Sequence, residues 1–198
     1  LVIGGGENGL KAARKAADEG LRVVLVDQGP ELGGRCAWSG ESVDGMSSNA
    51  WVAATIAHLE KQADVRILRR STAVGYYDRD VVTVVEATAH HLLRPGIPRE
   101  RYWIIRAKRI VVAAGAIEQP LVFCNNDRPG ILLAGAARQY LRRYGVAPGR
   151  RVVVATNNDS AYATALDLKQ AGVRVDAIAD ARHQVPTARI EEMRAAGI

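Results

Sequence analysis

The sequence predicts an α/β protein. Residues 1–130 read as a Rossmann-like, three-layer dinucleotide-binding domain with an inserted antiparallel β-meander. Residues 131–198 read as a second, partial βαβ domain of nucleotide-binding type. Three observations carry this prediction. Residues 1–27 run strand, glycine loop, helix, strand, acid. Residues 71–107 hold three β-rich runs divided by turn residues, and residues 150–180 repeat the opening order without its glycines.

The opening apolar run Leu1-Val2-Ile3 leads into Gly4-Gly5-Gly6, and Gly9 follows. Gly4 suits a tight turn, and Gly6 lets backbone approach a pyrophosphate where a Cβ would intervene. Gly9, with Ala13 beyond it, lets a helix lie close to a sheet. The helix carries Leu10, Ala13 and Ala17 on one face and ends at Gly20. Its N-terminus would direct unpaired N–H groups and the positive end of its dipole at phosphate. Leu21–Val26 is the second strand, and Asp27 at its tip is placed to accept hydrogen bonds from ribose hydroxyls. A carboxylate there repels a 2′-phosphate, so NAD or FAD is expected rather than NADP. Gln28 and Gly29 supply no arginine to reverse that preference.

The loop Gln28–Arg35 contains the pair Gly33-Gly34, which fits either close approach to the same cofactor or plain turn chemistry. An amphipathic helix is expected over 47–62, capped by Ser47 or Ser48, with Val52, Ile56 and Leu59 on one face. Val65–Leu68 reads as a short strand. Ser71–Tyr77, Val81–Ala89 and Tyr102–Ala107 form the meander, turned at Asp78-Arg79-Asp80 and linked by the loop 91–101. Arg109–Gly115 reads as a buried strand whose small tip, Ala114-Gly115, suits backbone near a ligand. After an irregular stretch over 116–130, a helix spans about 132–144 and stops at Gly145. In the second βαβ unit, Thr156, Asn158 and Ala161 stand where Gly4, Gly6 and Gly9 stand in the first. Side chains at the first two positions would crowd a pyrophosphate, so this unit is expected to be degenerate.

Composition excludes several classes. Hydrophobic residues make up 48% and charged residues 24%, ordinary for a soluble globular protein. The net charge of +6 lacks the aromatic-interleaved basic stripe of a nucleic-acid binder. Cys36 and Cys124 are too few for a disulfide framework and lack metal spacing, which suits a reducing cytoplasm. Cys36 has no second cysteine five residues away on either side, so an incidental thiol is favoured over a redox-active one. His58, His90 and His91 have no partner at metal spacing. Glu118 and Asp127 form no recognisable acid–base pair, Trp38, Trp51 and Trp103 are dispersed, and Tyr76-Tyr77 alternates as strand residues do. No catalytic constellation is visible. The chain starts inside a strand and stops in an unfinished helical pattern, so a piece of a longer polypeptide is expected.

The Gly4–Gly9 fingerprint, Asp27, the glycine pair, the meander and Val111–Gly115 together resemble the two-dinucleotide-binding-domain flavoproteins. Gly75-Tyr76-Tyr77-Asp78, the run 113–123, Asn125-Asn126-Asp127-Arg128-Pro129-Gly130 and Thr156–Tyr162 resemble more specifically the α subunit of heterotetrameric sarcosine oxidase. That resemblance implies the NAD-binding region of an enzyme that oxidises the N-methyl group of sarcosine, with NAD as a tightly held ligand that is not the main redox centre. FAD, FMN and tetrahydrofolate would be held elsewhere in a complex with β, γ and δ subunits. Related opine and amino-acid dehydrogenase α subunits share this architecture. It further implies pyrophosphate and ribose roles for Gly4, Gly5, Gly6, Gly9 and Asp27. Gln28, Gly33, Gly34, Arg35, Ala114 and Gly115 would line the same cleft, and Val74 would offer backbone to adenine. A self-contained flavoprotein reductase with FAD in the first site is the main alternative, and an assembly scaffold is a third. The choice of NAD over FAD rests on the resemblance alone.

Overall fold

A short strand that is apolar on both sides needs cover on both. The first strands, β1 (Val2–Ile3) and β2 (Val23–Val26), pose this demand. The computed structural model, which describes residues 1–89 and 96–198, shows how it is met. Two compact units form, Leu1–Ala116 and Ile117–Ile198.

In the first unit, β1 leads to α1 (Glu7–Asp18) and back to β2. A 3-10 turn (Gly34–Ala37) and a small hairpin, β3 (Ser42–Val43) with β4 (Met46–Ser47), precede α2 (Ser48–Glu60) and β5 (Val65–Leu68). The antiparallel strands β6 (Ser71–Tyr77), β7 (Val81–Ala87) and β8 (Glu100–Arg106) follow, then β9 (Val111–Val112). The parallel sheet has the order β5-β2-β1-β9, with Val2 opposite Leu25 and Val111.

Alternation along these strands divides the core into two. Val2, Val23 and Leu25 turn to one face, where they are buried with Leu10, Ala13 and Ala17 of α1 and Trp51, Val52 and Leu59 of α2. Ile3, Val24, Val26 and Leu68 turn to the other, against Val82, Val84, Trp103 and Ile105 of the meander. Helices, parallel sheet and meander thus make the three expected layers, with side chains alternating because the strand period is two.

The second unit runs α3 (Ala134–Tyr144), β10 (Arg151–Thr156), α4 (Ser160–Gln170), β11 (Arg174–Asp180) and α5 (Thr187–Ala195). β10 and β11 pair in parallel. Val154, Ala161, Tyr162, Ala165, Leu168, Val175 and Met193 form its core. α3 ends where Gly145 adopts φ +66°; the Gly145 and Val146 N–H groups donate to the Leu141 and Tyr140 carbonyls, a Schellman closure. The buried carboxylate of Asp167 on α4 holds α3 by accepting from Arg138 (2.6 Å) and from Arg142 (2.9 Å).

Several expectations differ from the structure. The division falls after Ala116 instead of at 130/131, because residues 117–133 attach to the second unit: Glu118 accepts from the Ala134 and Gly135 N–H groups at the head of α3. Arg109–Gly115 yields only the two-residue β9, which is an edge strand of the sheet and leaves Val112 72% exposed, so its apolar run is not buried. Ser47 occupies the cap position of α2, but its hydroxyl makes no capping bond. Tyr76 and Tyr77 are both exposed: Tyr76 sits at the sheet end and donates to Asp80, while the Tyr77 ring lies across Gly75, where a Cβ would come within 2.6 Å of it. His90, His91 and the start of the loop to β8 lie outside the described residues.

Candidate functional site

β1 delivers the chain to the glycine loop, and two of its glycines are demanded by the protein itself. Gly4 has φ +104°, and a Cβ there would overlap the Ala113 carbonyl oxygen and stand 3.1 Å from the Ala114 Cα. A Cβ on Gly9 would overlap the carbonyl oxygen of Gly4. The end of β1, the first turn of α1 and the segment after β9 therefore meet backbone to backbone. A Cβ on Gly5 would lie 2.5 Å from the buried Leu32 side chain.

Gly6 is different. Its φ of −73° suits any residue, and a Cβ there would meet no protein atom within 4 Å. Neither backbone conformation nor packing requires glycine, so its effect is to leave space in front of α1. No side chain caps that helix. The N–H groups of a first helical turn lack partners within the helix, and that end carries partial positive charge. Open space at an uncapped N-terminus fits a phosphate.

Asp27, at the tip of β2, is tied on every side. Its Oδ2 accepts from the Gly5 N–H at 2.6 Å and its Oδ1 from the Gly29 N–H at 2.7 Å. Its own N–H donates to Leu68 and its carbonyl accepts from Ser71. The carboxylate is partly exposed, and each oxygen has a further lone pair available to a hydroxyl. The glycine pair joins the same cluster: the Gly33 N–H donates to the Gly5 carbonyl at 2.7 Å, and a Cβ on Gly34 would stand 3.2 Å from the Gly6 Cα. Both are left-handed, with φ +106° and +51°. Turn chemistry and close approach thus both hold, and the backbone they approach is the glycine loop.

The structure brings Gly4, Gly5, Gly6, Gly9, Asp27, Gly33, Gly34 and Ala114 together. Gln28, Arg35, Val74 and Gly115 are exposed, and Val74 lies at a bulge, where the β6–β7 register shifts between Ala73 and Gly75. Two participants escaped the sequence reading. Gly29 was legible, since an aspartate accepting from the N–H two residues on is a common turn. Leu32, which backs Gly5, carries no local signal.

The turn of the second βαβ unit is closed by its own side chains. Asn158 Oδ1 accepts from the N–H (2.9 Å) and hydroxyl (2.6 Å) of Ser160, at the head of α4. Thr156 Oγ1 accepts from the Asn158 N–H. Asp180 at the tip of β11 accepts from the Arg182 guanidinium and the Tyr162 hydroxyl. Arg182 foremost holds its carboxyl well below the usual carboxylate range.

Cys36 and Cys124 are free thiols. Burial first, then Glu7 and Glu41, pushes the Cys36 thiol up, away from the reactive thiolate. His58 pairs with Asp18 at 2.6 Å on an exposed surface. Among the described residues, no group of three His, Cys, Asp or Glu side chains is arranged to hold a metal, and no helix is long and apolar enough to cross a membrane.

Comparison with known proteins fits this geometry. Residues 1–93 match the FAD binding domain family. The sarcosine oxidase α subunit of Corynebacterium sp. (strain P-1) is 47% identical over 98% of the chain, and that of Rhizobium meliloti (strain 1021) is 45% identical over 92%. The chain spans about a fifth of the length of these relatives. Among solved structures, L-proline dehydrogenase from P. horikoshii superposes with a TM-score of 0.72 at 28% identity, covering 90% of this chain and 34% of that one. By these likenesses, the chain is a homologue of the sarcosine oxidase α subunits over nearly all of its own length and about a fifth of theirs, with a glycine loop and an acid in register between β1, α1 and β2.

Proposed function

We propose that this chain is the dinucleotide-binding region of the α subunit of a multisubunit sarcosine (N-methyl amino acid) oxidase. The observation that carries the site is Gly6: a glycine that no protein contact requires, before an uncapped helix, with Asp27 in register across the loop. Gly4, Gly5, Gly6 and Gly9 take the pyrophosphate, and Asp27 takes the ribose through its remaining lone pairs. Gly33 and Gly34 support the loop from behind. The exposed Arg35 guanidinium and the Gln28 backbone border the phosphates, Ala114 and Gly115 line the cleft, and Val74 offers backbone to adenine.

The ligand in this reading is NAD, as the resemblance of the sequence motifs to the α-subunit family implies. The match of residues 1–93 to an FAD binding domain favours FAD as a second reading, since both ligands present an ADP half to this loop. Flavins and tetrahydrofolate belong to other parts of a cytoplasmic complex with β, γ and δ subunits. The test is to denature the full-length protein purified with its partner subunits and to identify each released nucleotide by absorbance and mass. NAD in one-to-one amount with the α polypeptide, lost in a Gly6→Ala variant, is the expected result. Loss of a flavin instead transfers the site to FAD, and nucleotide content unchanged by Gly6→Ala sinks the assignment.

A further inference from the structure

The carboxylate of Asp27 does more in this structure than wait for a ribose. Both oxygens are already engaged, at 2.6 Å with Gly5 and 2.7 Å with Gly29, distances typical of charge-assisted hydrogen bonds. Gly5 is held from both sides, its N–H by Asp27 and its carbonyl by the Gly33 N–H. The residue that follows is Gly6, whose bare face borders the open space before α1. Asp27 itself stands on a stiff support, since its main chain is bonded to Leu68 and to Ser71.

The second βαβ unit shows that this arrangement is not simply what an aspartate at a strand tip does. Asp180 also accepts from the N–H two residues on, that of Arg182 at 3.0 Å. Its other partners are the Arg182 guanidinium and the Tyr162 hydroxyl, and among the described residues it takes no hydrogen bond from Asn157, which stands where Gly5 stands. The reach from strand-tip carboxylate to loop amide belongs to the first unit.

We propose that Asp27 is a positioning residue that sets the Gly4–Gly6 loop in its ligand-accepting shape before a nucleotide arrives. The inference rests on reading this loop as the dinucleotide site, and it adds a task that needs no ligand. Ribose recognition then uses lone pairs that the latch leaves free.

The test is single-residue hydrogen exchange on the full-length α polypeptide stripped of nucleotide. In the wild type, the Gly5 and Gly29 amides are expected to exchange at least about tenfold more slowly than the unfolded chain, as charge-assisted bonds provide. Asp27→Asn keeps the shape but turns one acceptor into an amide donor, and it is expected to speed exchange at one or both glycines by about tenfold. A wild type unprotected at Gly5 overturns the proposal even if the variant fails to fold. Unchanged exchange in Asp27→Asn overturns it as well, and a fall in ADP-ribose affinity alone would then mark Asp27 as a ribose reader only. Titration of the wild type with ADP-ribose tests the underlying reading separately: faster exchange in Asp27→Asn with no ADP-ribose binding to the wild type keeps the latch and removes the nucleotide.

Discussion

The stretches Leu1–Asp27 and Arg151–Asp180 trace the same strand, turn, helix and strand, yet their turns are finished in opposite ways. In the first, α1 starts without a side-chain cap, and Gly6 leaves the space before it empty of protein. In the second, the Asn158 amide oxygen occupies the head of α4, and Arg182 and Tyr162 take the strand-tip carboxylate. A helix N-terminus needs acceptors in either case. Where the sequence provides them, the unit is complete by itself; where it withholds them, a ligand can complete it.

Small substitutions test this contrast, beginning with the tightest contact. Gly9→Ala would drive a Cβ into the Gly4 carbonyl, whereas Ala161→Gly at the matching position only loses a methyl group and helix propensity. The first is expected to destabilise its unit by about 3 kcal/mol, the second by about 1 kcal/mol. All three tryptophans, Trp38, Trp51 and Trp103, lie in the first unit, so urea unfolding followed by tryptophan fluorescence reports the first change, and hydrogen exchange of α4 the second.

The second unit depends instead on charge. Asp167→Ala leaves Arg138 buried, and Arg142 partly buried, without their carboxylate, at an expected cost of about 3 kcal/mol, read as faster exchange in α3 and α4. Burial works to raise the Asp167 pKa, but the Arg142 and Arg138 guanidiniums outweigh it and hold the carboxyl below its ordinary value. A carboxyl more acidic in the folded state contributes stability above the unfolded pKa of about 4, and that contribution fades as pH falls through the folded value. Exchange in α3 and α4, corrected for intrinsic rates, should therefore accelerate below about pH 4, and the acceleration should vanish in Asp167→Ala.

Gly6→Ala sharpens the comparison most cleanly, because it separates ligand from fold. With no protein atom in its way, the methyl group should move the urea midpoint by no more than about 0.5 kcal/mol in stability and weaken ADP-ribose binding at least about tenfold. A stability loss as large as that of Gly9→Ala would show that the space at Gly6 is not free. Asn158→Ala, which removes the side-chain acceptor of the Ser160 N–H at the head of α4, is expected to cost about 1 kcal/mol and to leave nucleotide content unchanged.

Most of the elements were legible because their signals are local. Gly145 and Gly20 mark helix ends, and the period-two runs of 71–87 mark the meander. What stayed illegible depends on distant neighbours. Nothing in 109–115 says that the strand lies at a sheet edge with Val112 exposed, and nothing in Glu118 says that it caps a helix sixteen residues away. The hairpin of Ser42–Val43 and Met46–Ser47 has strands of two residues, too short for any periodicity to show.

By itself the sequence determined the order of most of the elements, the glycine positions and the acid at the strand tip, because turn geometry, helix endings and side-chain alternation are properties of neighbouring residues. Only the tertiary structure decided what each glycine is for. Gly4 and Gly9 make way for other backbone, Gly33 and Gly34 brace the loop, and Gly6 alone of the loop glycines faces open space. That distinction depends on which atoms lie within a few ångströms, and folding brings those atoms from segments as far apart as Gly4 and Ala113.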